Sequence, residues 1–341
     1  ARWASPTRST RFWPTSLLST EVDVKILIQY PFSDEQHEQF CQLARENGDH
    51  QVLIAADEAA AIPLVDRVEV IMGYFPPAVC AVATDLRWIQ SFSAGMDKFL
   101  FPEIIERDEV SISNVAGLYA PQGGEHAWAL LLALARGIDQ AIRQNDQRKW
   151  AAGSTVELTG LTLGVVGMGG FGLEMVKRAG GYDMQIIAVD PVRRDPPPGV
   201  SELVYNSQEN LHSLLRRSDV VMLACPKTKE TYHLIGSEEF ALMRENAYLI
   251  NVTRGGIIDE EALCQALSEG QIAGAGLDVT EIEPLPADSP LWDARNIILT
   301  PHRAGASQHR PRKVFEFFLA QLGRYLKGEA VLNIVNKRKG Y

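Results

Sequence analysis

Three residues of this 341-residue chain have the types and setting for carbonyl chemistry. Arg254 stands in N-V-T-R-G-G, Glu283 in D-V-T-E-I-E-P-L-P, and His302 in T-P-H-R-A-G. A guanidinium can hold a carboxylate and polarise the carbonyl beside it. An imidazole can give or take the hydroxyl proton, and a carboxylate can keep that imidazole charged. Reducing a 2-keto acid needs those three groups and a hydride source. Singly, each has an ordinary reading: a surface or capping arginine, a solvated acid in a Glu/Pro loop, a structural histidine. Their placement raises them together, since each follows an apolar run that reads as a strand: YLINV, AGAGLDV and IILT.

The hydride source is written in Gly167-Met168-Gly169-Gly170-Phe171-Gly172. A G-x-G-x-x-G string alone is weak, but this one follows the run LTLGVV directly and precedes a helical stretch (173–179). The first glycine permits a tight turn, the second lets backbone approach a pyrophosphate, and the third lets helix pack on strand. Asp190 ends the next strand, where a carboxylate accepts from adenosine ribose hydroxyls and repels a 2'-phosphate. NAD is therefore expected, with Arg193 and Arg194 keeping NADP as the alternative. No G-x-x-x-x-G-K-[ST] string occurs.

The positioning elements alternate. Residues 22–30, 51–56, 68–72 and 86–91 read as strands around a polar helix at 34–47. After Trp150 six more strands follow, at 161–166, 185–189, 219–223, 248–252, 273–279 and 297–300. Strands separated by helices at this spacing indicate parallel βαβ units. Pro121 opens an apolar-periodic segment through Arg143, read as one helix, and 307–327 reads as an amphipathic helix. The expected fold is α/β, two doubly wound parallel-sheet lobes with ligand at the carboxyl ends of the strands.

Composition narrows the partners. With 33 basic and 43 acidic residues the net charge is −10, which disfavours nucleic acid and anionic membrane. The four cysteines, Cys41, Cys80, Cys225 and Cys264, form no CxxC or Cys/His cluster, so no metal is expected and a cytoplasmic setting is the simple reading. The longest apolar run, AWALLLALA, is about half of the ~18 residues a membrane span needs. The first twenty residues carry Arg2, Arg8 and Arg11 with no acid, a composition shared by transit peptides and by disordered extensions.

Gly167–Gly172, Asp190, N-V-T-R-G-G, G-L-D-V-x-E-x-E-P-L-P and L-T-P-H-x-A-G, in this order, resemble the D-isomer-specific 2-hydroxyacid dehydrogenase family over roughly residues 22–335. The resemblance implies a Rossmann NAD domain (117–304) inserted in a discontinuous flavodoxin-like substrate domain (21–116 and 305–335), and a homodimer built through the helix near 120–143. Arg254 would bind substrate, His302 would be the acid/base, and Glu283 would hold the far imidazole nitrogen and favour its charged form. Ala94 and Gly95, in S-F-S-A-G-M-D, would supply carboxylate-binding amides. Tyr74, Phe75, Met96 and Tyr119 would form a partly aromatic pocket wall. Cofactor contacts would come from Gly167, Gly169, Gly170, Phe171, Gly172, Asp190, Cys225, Pro226, Thr231, Val252, Thr253, Arg254, Asp278 and His302. Arg303 departs from the small apolar residue usual after the histidine and would add charge at the pocket edge. The implied activity is reduction of a glyoxylate- or hydroxypyruvate-like acid. Phosphite oxidation, another oxidative dehydrogenation, or corepressor-like NAD sensing remain the alternatives.

Overall fold

The computed structural model describes residues 23–340, so the expectation for the first twenty residues lies outside the described residues. The chain forms two compact units. One comprises the chain up to Ser91 with Glu106–Ser113 and Phe315–Ile334; the other comprises Phe92–Ile105, Asn114–Val314 and the chain from Val335 on. The expected partition put residues 21–116 together, whereas the segment Phe92–Ile105 packs with the second unit.

The first unit is a parallel sheet of β1 (Lys25–Gln29), β2 (Gln51–Ile54), β3 (Val68–Gly73), β4 (Trp88–Ser91) and β5 (Ser111–Ser113), in the order β2-β1-β3-β4-β5. This is the flavodoxin-like order. β1 and β3 lie inside the sheet and are largely buried, as the apolar runs at 26–28 and 70–72 lead one to expect. The helix Asp34–Glu46 starts at a capping box, in which Ser33 accepts from the Gln36 amide and the Gln36 side chain accepts from the Ser33 amide. Phe40 of that helix meets Phe32 and Phe315 at ring-centroid distances of 5.2 and 5.4 Å.

The second unit holds seven parallel strands: β6 (Thr162–Val166), β7 (Gln185–Asp190), β8 (Glu202–Tyr205), β9 (Val220–Leu223), β10 (Tyr248–Asn251), β11 (Gly274–Leu277) and β12 (Ile297–Leu299). Their order, β12-β11-β10-β9-β6-β7-β8, is the Rossmann arrangement with an added strand. The order reverses between β6 and β9, and that switch point is where such sheets open a ligand crevice. Each of the six expected second-lobe strands is present, five of them shortened by one to three residues and β7 lengthened by one, to Asp190. The two unexpected strands, β5 and β8, are short edge strands, and edges lack the continuous apolar run that marks a buried strand.

The helix expected as one piece from 121 to 143 is two, Ala120–Ala135 and Ile138–Asp146. Gly137 between them is left-handed at φ 64°, a conformation that ends a helix and that glycine adopts without strain. The first piece is buried nearly all round and anchored by the Trp128 indole, whose Nε1 donates to the Met175 carbonyl at 2.9 Å. No helix among the described residues is long and apolar enough to cross a membrane.

Candidate functional site

The glycine string forms the turn from β6 into the helix Gly170–Ala179. Gly167 sits at φ 98°, and a Cβ there would lie 2.9 Å from the backbone of Ala224 and Cys225 just beyond β9. Glycine is therefore required where the two switch-point strands end. A Cβ on Gly172 would lie 2.1 Å from the Gly167 carbonyl oxygen, so the helix reaches the turn only without a side chain. Gly169 faces open space, with no atom within 4 Å of its Cβ position. A helix N-terminus behind an open, side-chain-free turn is the cradle a pyrophosphate needs, and the residues present fit a dinucleotide.

Asp190 ends β7 as expected, buried and already engaged. One oxygen accepts from the Met168 amide at 2.7 Å, the other from the Val192 and Arg193 amides at 2.8 and 2.6 Å. A carboxylate has about four acceptor positions, so roughly one remains for a ribose hydroxyl. The flanking arginines are partly engaged. Arg193 Nε donates to the Met168 carbonyl at 3.2 Å, and Arg194 donates to the Pro191 carbonyl at 3.2 Å while lying over the Tyr205 ring. Across the switch point, burial pushes the Cys225 thiol up to about 12, so it stays neutral there. Thr231 ties its own loop, accepting from the Thr228 amide and donating to the Pro226 carbonyl, both at 2.7 Å.

The reacting residues share a cavity of about 230 Å³ within the second unit, whose lining includes Gly95, Arg254, Glu283 and His302. Each side chain is fixed by its own loop. Beyond β10, Asn251 donates to the Arg254 carbonyl at 2.9 Å and accepts from the Thr253 amide and hydroxyl at 3.1 Å, curling the chain so that Arg254 turns back. Its guanidinium donates from Nη1 to the Thr253 carbonyl at 2.7 Å and from Nε to Asp97 at 3.0 Å. It also rests on Gly95, where a Cβ would lie 1.5 Å from Nη2. The loop under it is tied by its carbonyls: Ala94 accepts from Asn114 at 2.9 Å and Gly95 from the Ser93 hydroxyl at 2.8 Å.

His302 has a left-handed backbone, φ 51°, and donates its amide to the Asp278 carbonyl at 2.8 Å. Its Nδ1 lies 3.0 and 2.9 Å from the two Glu283 oxygens. An ionised carboxylate only accepts, so Nδ1 carries the proton of that bond, leaving Nε2 for proton exchange. The Thr280 amide, 3.4 Å from Glu283 Oε1, closes the acid's own turn.

Behind the histidine, Asp278 at the end of β11 ties the loop together. It accepts from the Thr300 hydroxyl at 2.6 Å and from the Arg303 and Ala304 amides at 2.8 and 2.7 Å. Thr300 spends its one proton on Asp278, so His126 Nε2, 2.8 Å from the Thr300 oxygen, donates to it. Burial pushes the Asp278 carboxyl up, but hydrogen bonds from His126, Thr300 and the two amides outweigh it and hold the group below the usual carboxylate range. This network sets the path of the chain through His302.

The cavity thus brings Gly95, Arg254, Glu283 and His302 together. Met96 and Tyr119 are buried instead, with the Tyr119 hydroxyl donating to the Phe92 carbonyl at 3.0 Å, and neither lines the cavity. The aromatic wall expected of those two is absent there because their side chains fill the unit's interior. Arg303 is exposed and does not line the cavity either. Tyr74 and Phe75 belong to the first unit, following β3. Four charged lining residues were not foreseen: Asp97, Lys98, Lys227 and Glu281. Asp97 and Lys98 directly follow the S-A-G-M string, and that adjacency was the available signal. Among the described residues no group of His, Cys, Asp and Glu is placed to hold a metal.

Comparison with known proteins agrees with this architecture. Residues 128–304 match the model for the D-isomer specific 2-hydroxyacid dehydrogenase, NAD binding domain. The chain is 37% identical over 265 residues to a glyoxylate reductase of Korarchaeum cryptofilum, covering 76% of this chain and 79% of that protein. It is 32% identical over 319 residues to a D-3-phosphoglycerate dehydrogenase of Methanocaldococcus jannaschii, covering 92% of this chain and 59% of that protein. A solved D-isomer specific 2-hydroxyacid dehydrogenase from Xanthobacter autotrophicus Py2, in complex with NADPH and MES, superposes with a TM-score of 0.78 at 26% identity, over 94% of this chain and all of that one. By family model, sequence and fold alike, the chain belongs to the D-isomer-specific 2-hydroxyacid dehydrogenases.

Proposed function

We propose that this dehydrogenase reduces a small 2-keto acid of the glyoxylate or hydroxypyruvate kind, with Arg254, Glu283 and His302 as its working residues. The observation that carries the reading is the meeting of a guanidinium and a carboxylate-held imidazole in one cavity of the unit that also carries the dinucleotide cradle. When bound, the nicotinamide dinucleotide supplies the hydride for reduction and takes it in oxidation. Arg254 holds the substrate carboxylate and draws electron density from the keto oxygen. The amides of Ala94 and Gly95, on a loop whose carbonyls are tied back, assist in holding that carboxylate. His302 delivers the Nε2 proton to the forming alkoxide, while Glu283 fixes the tautomer and stabilises the imidazolium.

Gly167, Gly169, Gly170, Phe171 and Gly172 cradle the pyrophosphate in this reading, and Asp190 accepts one ribose hydroxyl. Cys225, Pro226, Thr231, Val252, Thr253 and Asp278 line the remaining cofactor path. Asp190 favours NAD, while Arg193 and Arg194, each engaged through only part of its guanidinium, keep NADP as the alternative. The NADPH of the Xanthobacter relative makes the phosphorylated cofactor the control to run. The second unit is the cofactor domain and the first the substrate domain. The working form is a homodimer in a reducing, cytoplasmic compartment.

Oxidation of NADH, followed by absorbance, against glyoxylate, hydroxypyruvate, pyruvate, phenylpyruvate and oxaloacetate tests the reading, with NADPH in parallel. Turnover favouring a small 2-keto acid supports it. Silence across the panel while NADH still binds would remove it in favour of an oxidative substrate or a binding role.

A further inference from the structure

Two of the three cations lining the cavity within the second unit are paired with an acid. Arg254 Nε donates to Asp97 Oδ1 at 3.0 Å, and Lys98 Nζ lies 3.7 Å from Glu283 Oε2. The third cation, Lys227, shares the lining with Glu281. The Tyr232 hydroxyl, donating to Glu281 at 2.7 Å, is the main influence holding that carboxyl below the usual carboxylate range. Burial opposes it, while His233 and the nearby charge of Lys227 add to it. Three cations against three carboxylates leave no surplus charge on this lining while His302 is neutral, and a single positive charge when His302 is protonated. One substrate carboxylate balances that charge. A second anionic group, on a dicarboxylate or a phosphorylated acid, would meet no surplus positive charge on this lining and would face Asp97 and Glu281.

We infer that Asp97 is a positioning and specificity-determining residue, which holds Arg254 in place while restricting the site to monoanionic 2-keto acids. The inference rests on the proposed reading of Arg254 as the substrate-binding residue. Of the five guanidinium N–H donors, one goes to Asp97 and one to Thr253, leaving three for substrate. The Nε contact fixes the plane of the guanidinium over Gly95. The carboxylate's charge also lowers the positive potential at the one group that attracts anions. A neutral acceptor in its place would fix the plane equally well without lowering the potential. Among the chain's relatives are both a glyoxylate reductase and a phosphoglycerate dehydrogenase, so the anion charge that the site admits is a real division.

Asp97→Asn separates the two roles, because the amide oxygen still accepts from Nε while the charge is gone. Two ratios are read in wild type, Asp97→Asn, Asp97→Glu and Asp97→Ala. The first is kcat/KM for oxaloacetate over that for glyoxylate. The second is the affinity of the NADH-loaded protein for oxalate over that for oxamate, by calorimetry, which needs no turnover. Removing one like charge from beside the substrate should move both ratios toward the dianion in Asp97→Asn by on the order of tenfold. Asp97→Glu should keep the wild-type ratios, and Asp97→Ala should in addition lose kcat/KM for every substrate. A shift below about fivefold in Asp97→Asn overturns the inference, as does a shift toward the monoanion. If Asp97→Asn does not fold, as judged by circular dichroism, Asp97→Ser carries the same criterion. The two readings fail separately. Turnover with unmoved ratios ends this inference and spares the proposed activity; a moved binding ratio without turnover does the reverse.

Discussion

At the residue scale, the imidazole and its carboxylate make separable contributions. His302 Nδ1 is committed to Glu283, so only Nε2 can exchange a proton with substrate. His302→Ala removes the proton donor, and turnover should fall by about a thousandfold, within the usual range for a general acid. Dissociation of NADH, followed by its fluorescence, should stay near wild type. Lost NADH binding would instead make His302 a structural residue of the cofactor site. Glu283→Gln keeps an acceptor for Nδ1 but not the charge that supports an imidazolium. The expected loss in kcat is smaller, on the order of ten- to a hundredfold. A loss in Glu283→Gln as large as that in His302→Ala would mean that Glu283 acts on the substrate directly.

The elements that hold these residues offer two sharper tests. Gly95→Ala places a methyl 1.5 Å from Arg254 Nη2 and 2.3 Å from Cζ, so the guanidinium must leave its seat. Displacement by about an ångström at a reacting centre costs on the order of a hundredfold in kcat/KM, and Gly95→Ala should show that loss with NADH affinity unchanged. A near-normal kcat/KM would show that Arg254 does not work from this position. Asp278 tests the knot behind His302. Because its carboxyl is held below the ordinary value, the stability it contributes is present above the ordinary aspartate range. That contribution is lost as pH falls through the lowered value. Asp278→Asn turns an amide donor toward a backbone N–H that now has a carboxylate, and should cost about 2–4 kcal/mol in denaturant unfolding at neutral pH. The gap to wild type should begin to narrow below about pH 4, where the unfolded chain's carboxyl takes up its proton, and go on narrowing as pH falls toward the lowered folded value. A gap that is constant with pH would assign the loss to packing instead.

The same elements show what sequence can and cannot convey. The buried strands, the glycine turn and the three strand-end residues were legible because each is a local pattern: an apolar run, a fixed spacing, a polar residue where a run stops. The edge strands β5 and β8 were not, since an edge strand of three or four residues buries too little to leave a pattern. The helix break at Gly137 was hidden inside a continuous helical periodicity. Asp97 escaped for a different reason. Its partner Arg254 lies 157 residues away, and the string that Asp97 follows does not say which side chain the folded chain sets against it.

At the scale of the whole molecule, the proposed homodimer has a candidate surface that tests it. Ile138 and Ile142 lie one turn apart on the helix Ile138–Asp146 and are 50% and 58% exposed, and Trp150 shortly beyond is fully exposed. Fully burying an isoleucine side chain stabilises by about 1.5–3 kcal/mol, so covering these groups with a second copy would be favourable. Charge opposes it, because each chain carries −10 and two copies repel. An association driven by apolar burial against repulsion should tighten as salt screens the charge, whereas one driven by ion pairs should loosen. Sedimentation equilibrium should therefore find a dimer whose dissociation constant falls between low and physiological salt. The double substitution Ile138→Asp, Ile142→Asp should yield folded monomers, with far-ultraviolet circular dichroism unchanged. A wild-type monomer at tens of micromolar would end the dimer reading. A dimer indifferent to the double substitution would move its interface to another face of the chain.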